Sequence, residues 1–213
     1  MTGSSGTHDG RWEPVGWPTD AEAAAALREW VRDPTKTLYA IDLDFRRADF
    51  SDADLSERWF TDSDLSAAIL RNAVLYRSHC EGVDFRGADL ENVDLVKAGI
   101  DRANFSGARM PGANLRRVEC MGALFSQADM RRAVLGDAIF VQCDMSGADL
   151  RDSVANRTSF TDVRLADARV EGMTGTVLGG SSVLVQDGDT LTTLSGDRLE
   201  RWLRDRGAAV SVL

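Results

Sequence analysis

Apolar residues recur at every fifth position from Phe45 to Val170, and the frame does not slip once. A second column of mostly small residues, from Ala48 to Ala168, stands two positions before the members of the first. A period of five matches neither the 3.6-residue period of an α-helix nor the two-residue alternation of a plain strand. The pattern therefore indicates an internal structural repeat.

The repeat predicts a coil with four units in each turn. Residues two apart on an extended chain point to the same side, so the large and small columns can both point inward. Because five is odd, each unit needs a turn that absorbs the extra residue. Sorting on a spacing of 20 residues gives an all-leucine column from Leu55 to Leu135 and an all-alanine column from Ala48 to Ala168. Residues 20 apart are therefore expected to stack about 4.8 Å above one another.

Individual units resemble the A-(D/N)-L-x-x consensus of the pentapeptide-repeat family. The clearest are Ala88-Asp89-Leu90, Ala113-Asn114-Leu115 and Ala148-Asp149-Leu150, and the resemblance covers about residues 43 to 173. It implies an all-β solenoid: a right-handed quadrilateral β-helix with an N-terminal helical cap and a small C-terminal β/α cap. Other residues replace the consensus Asp or Asn at Trp59, Ile69, Val74, His79, Gly99, Arg109, Leu124, Val134 and Ile139.

The repeat boundaries divide the chain into three segments. Residues 1–37 form an irregular N-terminus with a capping helix, 38–174 form the β-helix, and 175–213 form the C-terminal cap. In the first segment, Thr19-Asp20-Ala21-Glu22 is typical of a capping box, and Asp33-Pro34 marks the expected end of the helix. A helix here is expected because an open solenoid end exposes both core and strand edges.

The C-terminal segment predicts a hairpin, a helix and a last strand. Ser182–Val185 and Thr190–Leu194 flank a turn signal that is typical of a hairpin. Ser195 is expected to cap a helix that runs to about Arg206, and Ala209–Leu213 alternate as a strand does. The inward residues of this helix are expected to be Leu199, Trp202 and Leu203.

The cysteines and the histidines do not form a recognisable catalytic or metal site. Cys80 and Cys120 both occupy the inward column two coils apart, about 10 Å, which exceeds the reach of a disulfide. His79 and Glu81 flank Cys80, but they should point outward, away from the thiol. We therefore expect a protein without catalytic, metal or cofactor residues, and an enzyme is the weakest alternative.

The absence of an apolar leader or a long apolar stretch predicts no membrane association and a cytoplasmic location. Free inward cysteines fit such a reducing compartment. The net charge of −9 makes direct nucleic-acid binding an unlikely role.

Outward apolar residues are the main indication of a binding role, because stacked exposed apolar groups form a patch. They predict a non-enzymatic protein-binding or scaffold protein, with a homodimer expected and the protein partner unknown. A terminal segment that folds back over these residues would explain them equally well. The candidate partner or dimer surface comprises Trp59, His79, Glu119, Met121, Ile139 and Val141. A second apolar patch comprises Val74, Tyr76, Val96, Val134 and Val154.

The family resemblance also implies an alternative: a DNA-mimic modulator of DNA gyrase or topoisomerase that confers toxin or quinolone resistance. Such a mimic needs a continuous negative stripe, because it copies the charge of the phosphates. The best stripe is interrupted by Arg102, and bases balance acids on the neighbouring leucine-column side. The acids of that stripe are Asp62, Glu81, Asp101, Glu119 and Asp162.

Overall fold

Residues 20 apart in the chain pair with one another along the length of the molecule. The computed structural model describes residues 7–8, 11–178, 180–187 and 190–213. Parallel pairing with this register confirms the predicted four-sided solenoid. One such column runs through Tyr39, Trp59, His79, Gly99, Glu119, Ile139 and Ser159.

Most corners of the coil are tight turns closed by a backbone hydrogen bond. In the first repeats, the Ala48 N–H donates to the Phe45 carbonyl at 3.0 Å, and Arg47 between them takes a φ of 61°. A positive φ at the third residue of a β-turn is the geometry of a type II turn. The Phe45 N–H then donates to the Asp64 carbonyl of the next coil at 2.8 Å. The turn absorbs the odd residue, and the ladder between coils uses the remaining backbone groups.

The interior is a continuous stack of the fifth-position residues, each of which is at most 3% exposed. The rings of Phe85 and Phe105 lie 4.8 Å apart, and those of Phe105 and Phe125 lie 4.9 Å apart. These distances equal the spacing of strands in a sheet, so ring stacking and backbone pairing satisfy the same repeat.

Regular strands form where the pairing extends beyond single bridges. Strands β3 (Glu119–Met121), β4 (Ile139–Val141) and β5 (Val154–Thr161) pair in parallel. Strand β6 (Val163–Arg164) follows on the next side of the coil. Strand β7 (Thr174–Val177) keeps the 20-residue register by pairing with β5.

The N-terminal segment packs over the first coil. Strands β1 (Thr7–His8) and β2 (Arg11–Trp12) pair antiparallel, and helix α1 spans Ala21–Arg32. The helix begins one residue later than the capping box predicts. Asp20, not Thr19, is the N-cap, and its carboxylate accepts the N–H groups of Glu22 and Ala23. A carboxylate at this position also interacts favourably with the helix dipole.

The C-terminal segment has the predicted order of elements. Strands β8 (Ser182–Asp187) and β9 (Thr190–Ser195) form an antiparallel hairpin, and β8 pairs in parallel with β6. Helix α2 (Gly196–Asp205) and strand β10 (Ala209–Val212) follow, and β10 pairs with β7. The hairpin tip at Gly188 and Asp189 lies outside the described residues, as do Gly179 and residues 1–6 and 9–10.

Two details of this cap differ from the sequence-based expectation. Ser195 is the N-cap of α2, but its hydroxyl makes no capping hydrogen bond. Leu199 and Leu203 are buried, whereas Trp202 is only partly buried, with Arg206 over its ring at 4.2 Å. The indole therefore lies at the margin of the cap, where it packs against the core and a surface guanidinium together.

Candidate functional site

The first candidate surface lies on one side of the rod, where the structure gathers all six of its predicted residues. Trp59, His79, Glu119 and Ile139 stand in a single column, which Gly99 completes. We call these five residues the centre column. Met121 and Val141 are paired neighbours two residues further along their strands.

The middle of this side exposes apolar side chains. Met121 is 54% exposed and Ile139 is 39% exposed, so no described part of either terminal segment covers them. Val141 and Trp59 are half-buried, because neighbouring coils shield parts of their side chains. Scattered apolar residues need no explanation, but adjacent ones on neighbouring coils form a patch that can pack against a partner.

Aromatic rings stack toward the N-terminal end of the same column. The Trp59 and His79 rings lie 3.7 Å apart with a 17° angle between their planes, as the 20-residue spacing predicts. Tyr39 extends the series, with its ring 6.1 Å from that of Trp59. His79 Nδ1 also lies 3.5 Å from Glu81 Oε1. The stack makes this end of the surface aromatic.

Gly99 interrupts the centre column and leaves a shallow groove. The groove has a volume of about 520 Å³, and its floor is formed by Ala98 and Gly99. The Glu81 carboxylate occupies the space that a Cβ at Gly99 would need. The walls of the groove are formed by Arg77, Lys97, Arg117, Glu119 and Asp137.

Charges of opposite sign lie at the two margins of this side. The chain turns at Arg117 (φ 57°) and again at Gly122 (φ 68°), and these corners bound the side. The margin with Arg117 is the basic edge, in which Arg77, Lys97, Arg117 and Arg157 outnumber the two acids of the same column, Glu57 and Asp137. The margin with Gly122 is the acidic edge, defined by Asp62, Glu81, Asp101 and Asp162. We call the centre column with its two edges the bipolar face.

Some of these charges are already paired within the chain, and others are free. Arg77 lies 4.0 Å from Glu57, and Arg157 donates to Asp137 at 3.0 Å. Within the described residues, Lys97 and Arg117 make no ion pair. Arg102, next to Asp101, is the one base that interrupts the acidic stripe predicted from the sequence. The middle of the basic edge is therefore available to an external carboxylate.

The second apolar patch is less exposed than the first. Val134 and Val154 pair directly, whereas Val74 is separated from them by two polar positions of its column. Tyr76 and Val96 lie in a neighbouring column, and the Arg77 guanidinium sits 5.6 Å from the Tyr76 ring. All five side chains are half-buried, so this set offers less apolar area than Met121 and Ile139.

The thiol beside His79 is unsuited to nucleophilic chemistry. Cys80 is fully buried, and burial raises the pKa of its thiol to about 12 although Ser78 Oγ lies 3.4 Å from the sulfur. A reactive cysteine needs a thiolate at neutral pH. Among the described residues, no three His, Cys, Asp or Glu side chains are grouped as metal ligands would be. In the same residues, no helix has the length and apolar character needed to cross a membrane.

Consensus aspartates serve the turns of the rod. The Asp84 Oδ1 atom accepts the Arg86 N–H at 2.9 Å, and Asp64 Oδ1 accepts the Ser66 N–H at 2.8 Å. Such side-chain-to-backbone bonds two residues on are typical Asx turns. Where Trp59, His79 or Ile139 replaces the aspartate, the outward position becomes available for contacts with other molecules.

Sequence reasoning missed several residues that belong with these features. Tyr39, Ile41 and Leu124 are exposed apolar side chains, and Cys143 lies against Cys120. Extending the 20-residue sort by one coil places Tyr39 below Trp59 and Ile41 in the column of Met121. The same sort places Cys143 above residue 123, three residues after Cys120.

Known proteins share this repeat. A family model described as "Pentapeptide repeats" matches the chain in overlapping segments at residues 48–79, 60–95, 78–117, 100–133, 119–154 and 138–173. No curated protein sequence matches the chain significantly.

Solved structures of low sequence identity are also similar. HetL, a pentapeptide repeat protein involved in heterocyst differentiation regulation in the cyanobacterium Nostoc sp., is 23% identical over 61% of this chain and 69% of that one, with a TM-score of 0.42. Full-length QnrB1, a plasmid-mediated fluoroquinolone resistance protein, is 17% identical over 76% and 86%, with a TM-score of 0.33. A pentapeptide repeat protein of the Arabidopsis thaliana thylakoid lumen is 29% identical over 54% and 69%, with a TM-score of 0.23. Because the family match extends from residue 48 to residue 173, over more than half of the sequence, this chain belongs to the pentapeptide repeat family.

Proposed function

We propose that this chain is a non-enzymatic binding protein that uses the bipolar face, and that the face pairs with a second copy of the chain. The observation that carries the proposal is the order of groups across this face: bases on one edge, acids on the other, and apolar and aromatic side chains between them. The burial of the Cys80 thiol supports a role in binding rather than catalysis.

The order of charges selects one geometry for the pair. A two-fold axis parallel to the rod brings two bipolar faces together while each coil stays at the same height. The basic edge of one copy then meets the acidic edge of the other. Arg77 faces Glu81 of the second copy, and Lys97 faces Asp101 of the second copy. An axis perpendicular to the rod would instead bring like charges together, which is unfavourable.

The centre column lies near this axis and supplies the apolar contact. Ile139 meets its own counterpart, and the Trp59–His79 stack faces the same stack of the second copy. Met121 lies two residues from the centre column, so it packs against the aliphatic part of Arg117 of the second copy. Glu119 opposes pairing because it approaches its own copy, so Glu119→Gln is expected to tighten the dimer. A face one coil-side wide and about 30 Å long buries less than a standard interface of about 1,600 Å², so the dimer should depend on concentration.

Analytical ultracentrifugation over a range of protein concentrations tests the apolar centre. Ile139→Asp should reduce self-association by at least about tenfold, because it removes an apolar anchor and places two carboxylates opposite each other near the axis. Gln127→Asp is the control, since it adds the same charge at a different exposed corner. Equal sedimentation of the original protein and both variants at every concentration would show that the bipolar face does not form a dimer.

A charge exchange tests the geometry independently. Lys97→Glu alone and Asp101→Lys alone should each weaken the dimer, because each places like charges opposite one another. The double variant restores an opposite-charge pair in the parallel arrangement and should recover most of the association. If the double variant associates more weakly than either single variant, the two-fold axis is not parallel to the rod, even if the same face forms the dimer.

A second candidate function is modulation of DNA gyrase or topoisomerase by an acidic rod that imitates DNA. The four carboxylates of the acidic edge and the net charge of −9 favour it. The basic edge on the opposite corner weakens it, since a duplex is negative on every side. Gyrase supercoiling is measured with and without the protein, in the presence and absence of a quinolone. No change at micromolar excess excludes this candidate, and an effect lost in Glu81→Gln with Asp101→Asn supports it.

A further inference from the structure

Two thiols touch inside the rod, directly behind the exposed apolar centre of the bipolar face. The Sγ atoms of Cys120 and Cys143 lie 3.4 Å apart, although the residues are 23 positions apart in the chain. Cys120 is the middle residue of β3, and Cys143 follows β4 by two residues. The coil geometry produces this contact, because it places an inward large position beside an inward small position of the next coil.

We propose that Cys120 and Cys143 are a redox modification site, at which a small peroxide forms an intramolecular disulfide between consecutive coils. A disulfide bond is about 2.05 Å long, so the two sulfur atoms need to approach by about 1.4 Å. Rotation of the two side chains has to supply this movement, and Gly122 in the adjacent turn adds no side chain of its own. The two sulfur atoms are therefore in contact before any oxidant arrives.

The surroundings of the two sulfurs distinguish them chemically. The pKa of Cys143 is lowered because its thiolate accepts a hydrogen bond from the Cys120 thiol and further bonds from the backbone around Ala123, Val141 and Gly122, against the opposing effect of burial. The pKa of Cys120 is raised by the neighbouring Cys143 thiolate and by burial. We assign the first attack on the peroxide to Cys143, whose sulfur lies against the Cys120 thiol and beside the backbone of the turn at Gly122, and the second step to Cys120.

The reaction balances with a hydroperoxide as the oxidant. The Cys143 thiolate attacks one peroxide oxygen, the O–O bond breaks, and Cys143 becomes a sulfenic acid while the other oxygen leaves as water after protonation. The Cys120 sulfur then attacks the Cys143 sulfur, the S–O bond breaks, and a second water leaves. Two thiols and one hydrogen peroxide thus give one disulfide and two waters, and a dithiol reductant reverses the change.

Access limits the oxidant to a small molecule. Cys120 is 3% exposed and Cys143 is 1% exposed, so a bulky disulfide such as oxidised glutathione cannot reach them without opening the coil. Cys80 provides an internal comparison in the same chain. It is fully buried, its pKa is raised to about 12, and its sulfur lies against Ser78 rather than another cysteine.

The full-length protein is reduced, freed of reductant and treated with hydrogen peroxide, and its remaining thiols are then alkylated under denaturing conditions. Intact mass should show one alkylated cysteine instead of three, and peptide mapping should link Cys120 to Cys143 within one chain. Cys80→Ser should form the same link. Cys120→Ser should leave a sulfenic acid on Cys143 that dimedone traps when the protein is denatured in its presence, whereas Cys143→Ser should give little dimedone adduct.

Thermal unfolding adds a readout that is independent of mass. The disulfide ties consecutive coils through a 23-residue separation, so the oxidised protein should melt about 6 to 12 °C higher than the reduced protein. Cys120→Ala and Cys143→Ala replace the serine variants if those fail to fold. Three free thiols after oxidation, a link that includes Cys80, or a link between two chains would each overturn the proposal.

Discussion

The stacked phenylalanines at the middle of the rod allow a quantitative test of the interior. Phe105 is fully buried between Phe85 and Phe125, with ring distances of 4.8 and 4.9 Å and nearly parallel planes. Phe105→Ala removes the ring and leaves a cavity that rigid coils above and below cannot fill. The cost should be about 3–5 kcal/mol in the free energy of unfolding.

A leucine at the same position separates the contribution of volume from that of stacking. Leu65 occupies the equivalent position two coils earlier, so the column already accepts this side chain. Phe105→Leu keeps most of the apolar volume but loses two ring pairs, each worth about 0.5–1.5 kcal/mol. The leucine variant should therefore lose about 1–3 kcal/mol, clearly less than the alanine variant.

Urea-induced unfolding followed by circular dichroism at 25 °C measures all three proteins. Ser106→Ala is the matched control, because it changes the adjacent outward residue and should stay within about 0.5 kcal/mol of the original protein. A cost below 1 kcal/mol for Phe105→Ala would mean that the coils collapse around the gap. Equal costs for the alanine and leucine variants would mean that side-chain volume does not govern packing at this position.

Two further predictions concern the charges and the C-terminal cap. Asp89 is partly desolvated, which alone would raise its pKa, but two arginines donate to it and hold the pKa below its ordinary value. Its stabilising effect is therefore present above about pH 4 and is lost as the pH falls through the depressed pKa. Asp89→Asn should cost about 1 kcal/mol at pH 7 and progressively less in acid. Thermal melts against pH check this with Asp54→Asn as the control, and a pH-independent difference would contradict it. Gly207 follows the C-cap of α2 with a φ of 79°, and a built Cβ there would make only ordinary contacts with Glu171 at 3.8 Å, so Gly207→Ala should cost about 1 kcal/mol from backbone strain alone. The melting temperature of Gly207→Ala should fall by about 2–4 °C, whereas Gly180→Ala should not lower it. Equal melting temperatures for the two variants would show that alanine is not strained at position 207.

The interior of the molecule follows closely from the order of residues in the chain. The five-residue period identifies Leu115 and Phe125 as inward, and the 20-residue sort anticipates the stacking of His79 on Trp59. These inferences succeed because each repeat contacts only its neighbours, so local periodicity and tertiary packing carry the same information. The start of α1 was misplaced by one residue, because Thr19 and Asp20 both suit an N-cap and only the backbone decides between them.

The sequence predicts which residues belong to the candidate surface, but it does not predict how much of each side chain is exposed. Sorting by 20 collects Met121, Val141 and Ile139 on one side, yet it cannot say that Met121 is open to solvent whereas Val134 is half-buried. Exposure depends on the rotamers of flanking coils and on where the terminal segments lie, and neither repeats along the chain. The exposure of Met121 and Ile139 in the structure argues against the alternative that a terminal segment folds over the patch.

By itself, the sequence determined the coil, its inward columns, the positions of its corners and the presence of a helix near each end. It did so because a strict period leaves one way to bury every large apolar residue. Only the tertiary structure decided which side chains of neighbouring coils touch when they do not lie in the same column. It brought Cys143 against Cys120 and placed the Glu81 carboxylate against Gly99. These contacts join residues whose separations are not multiples of the repeat, so they depend on the shape of the corners rather than on the period.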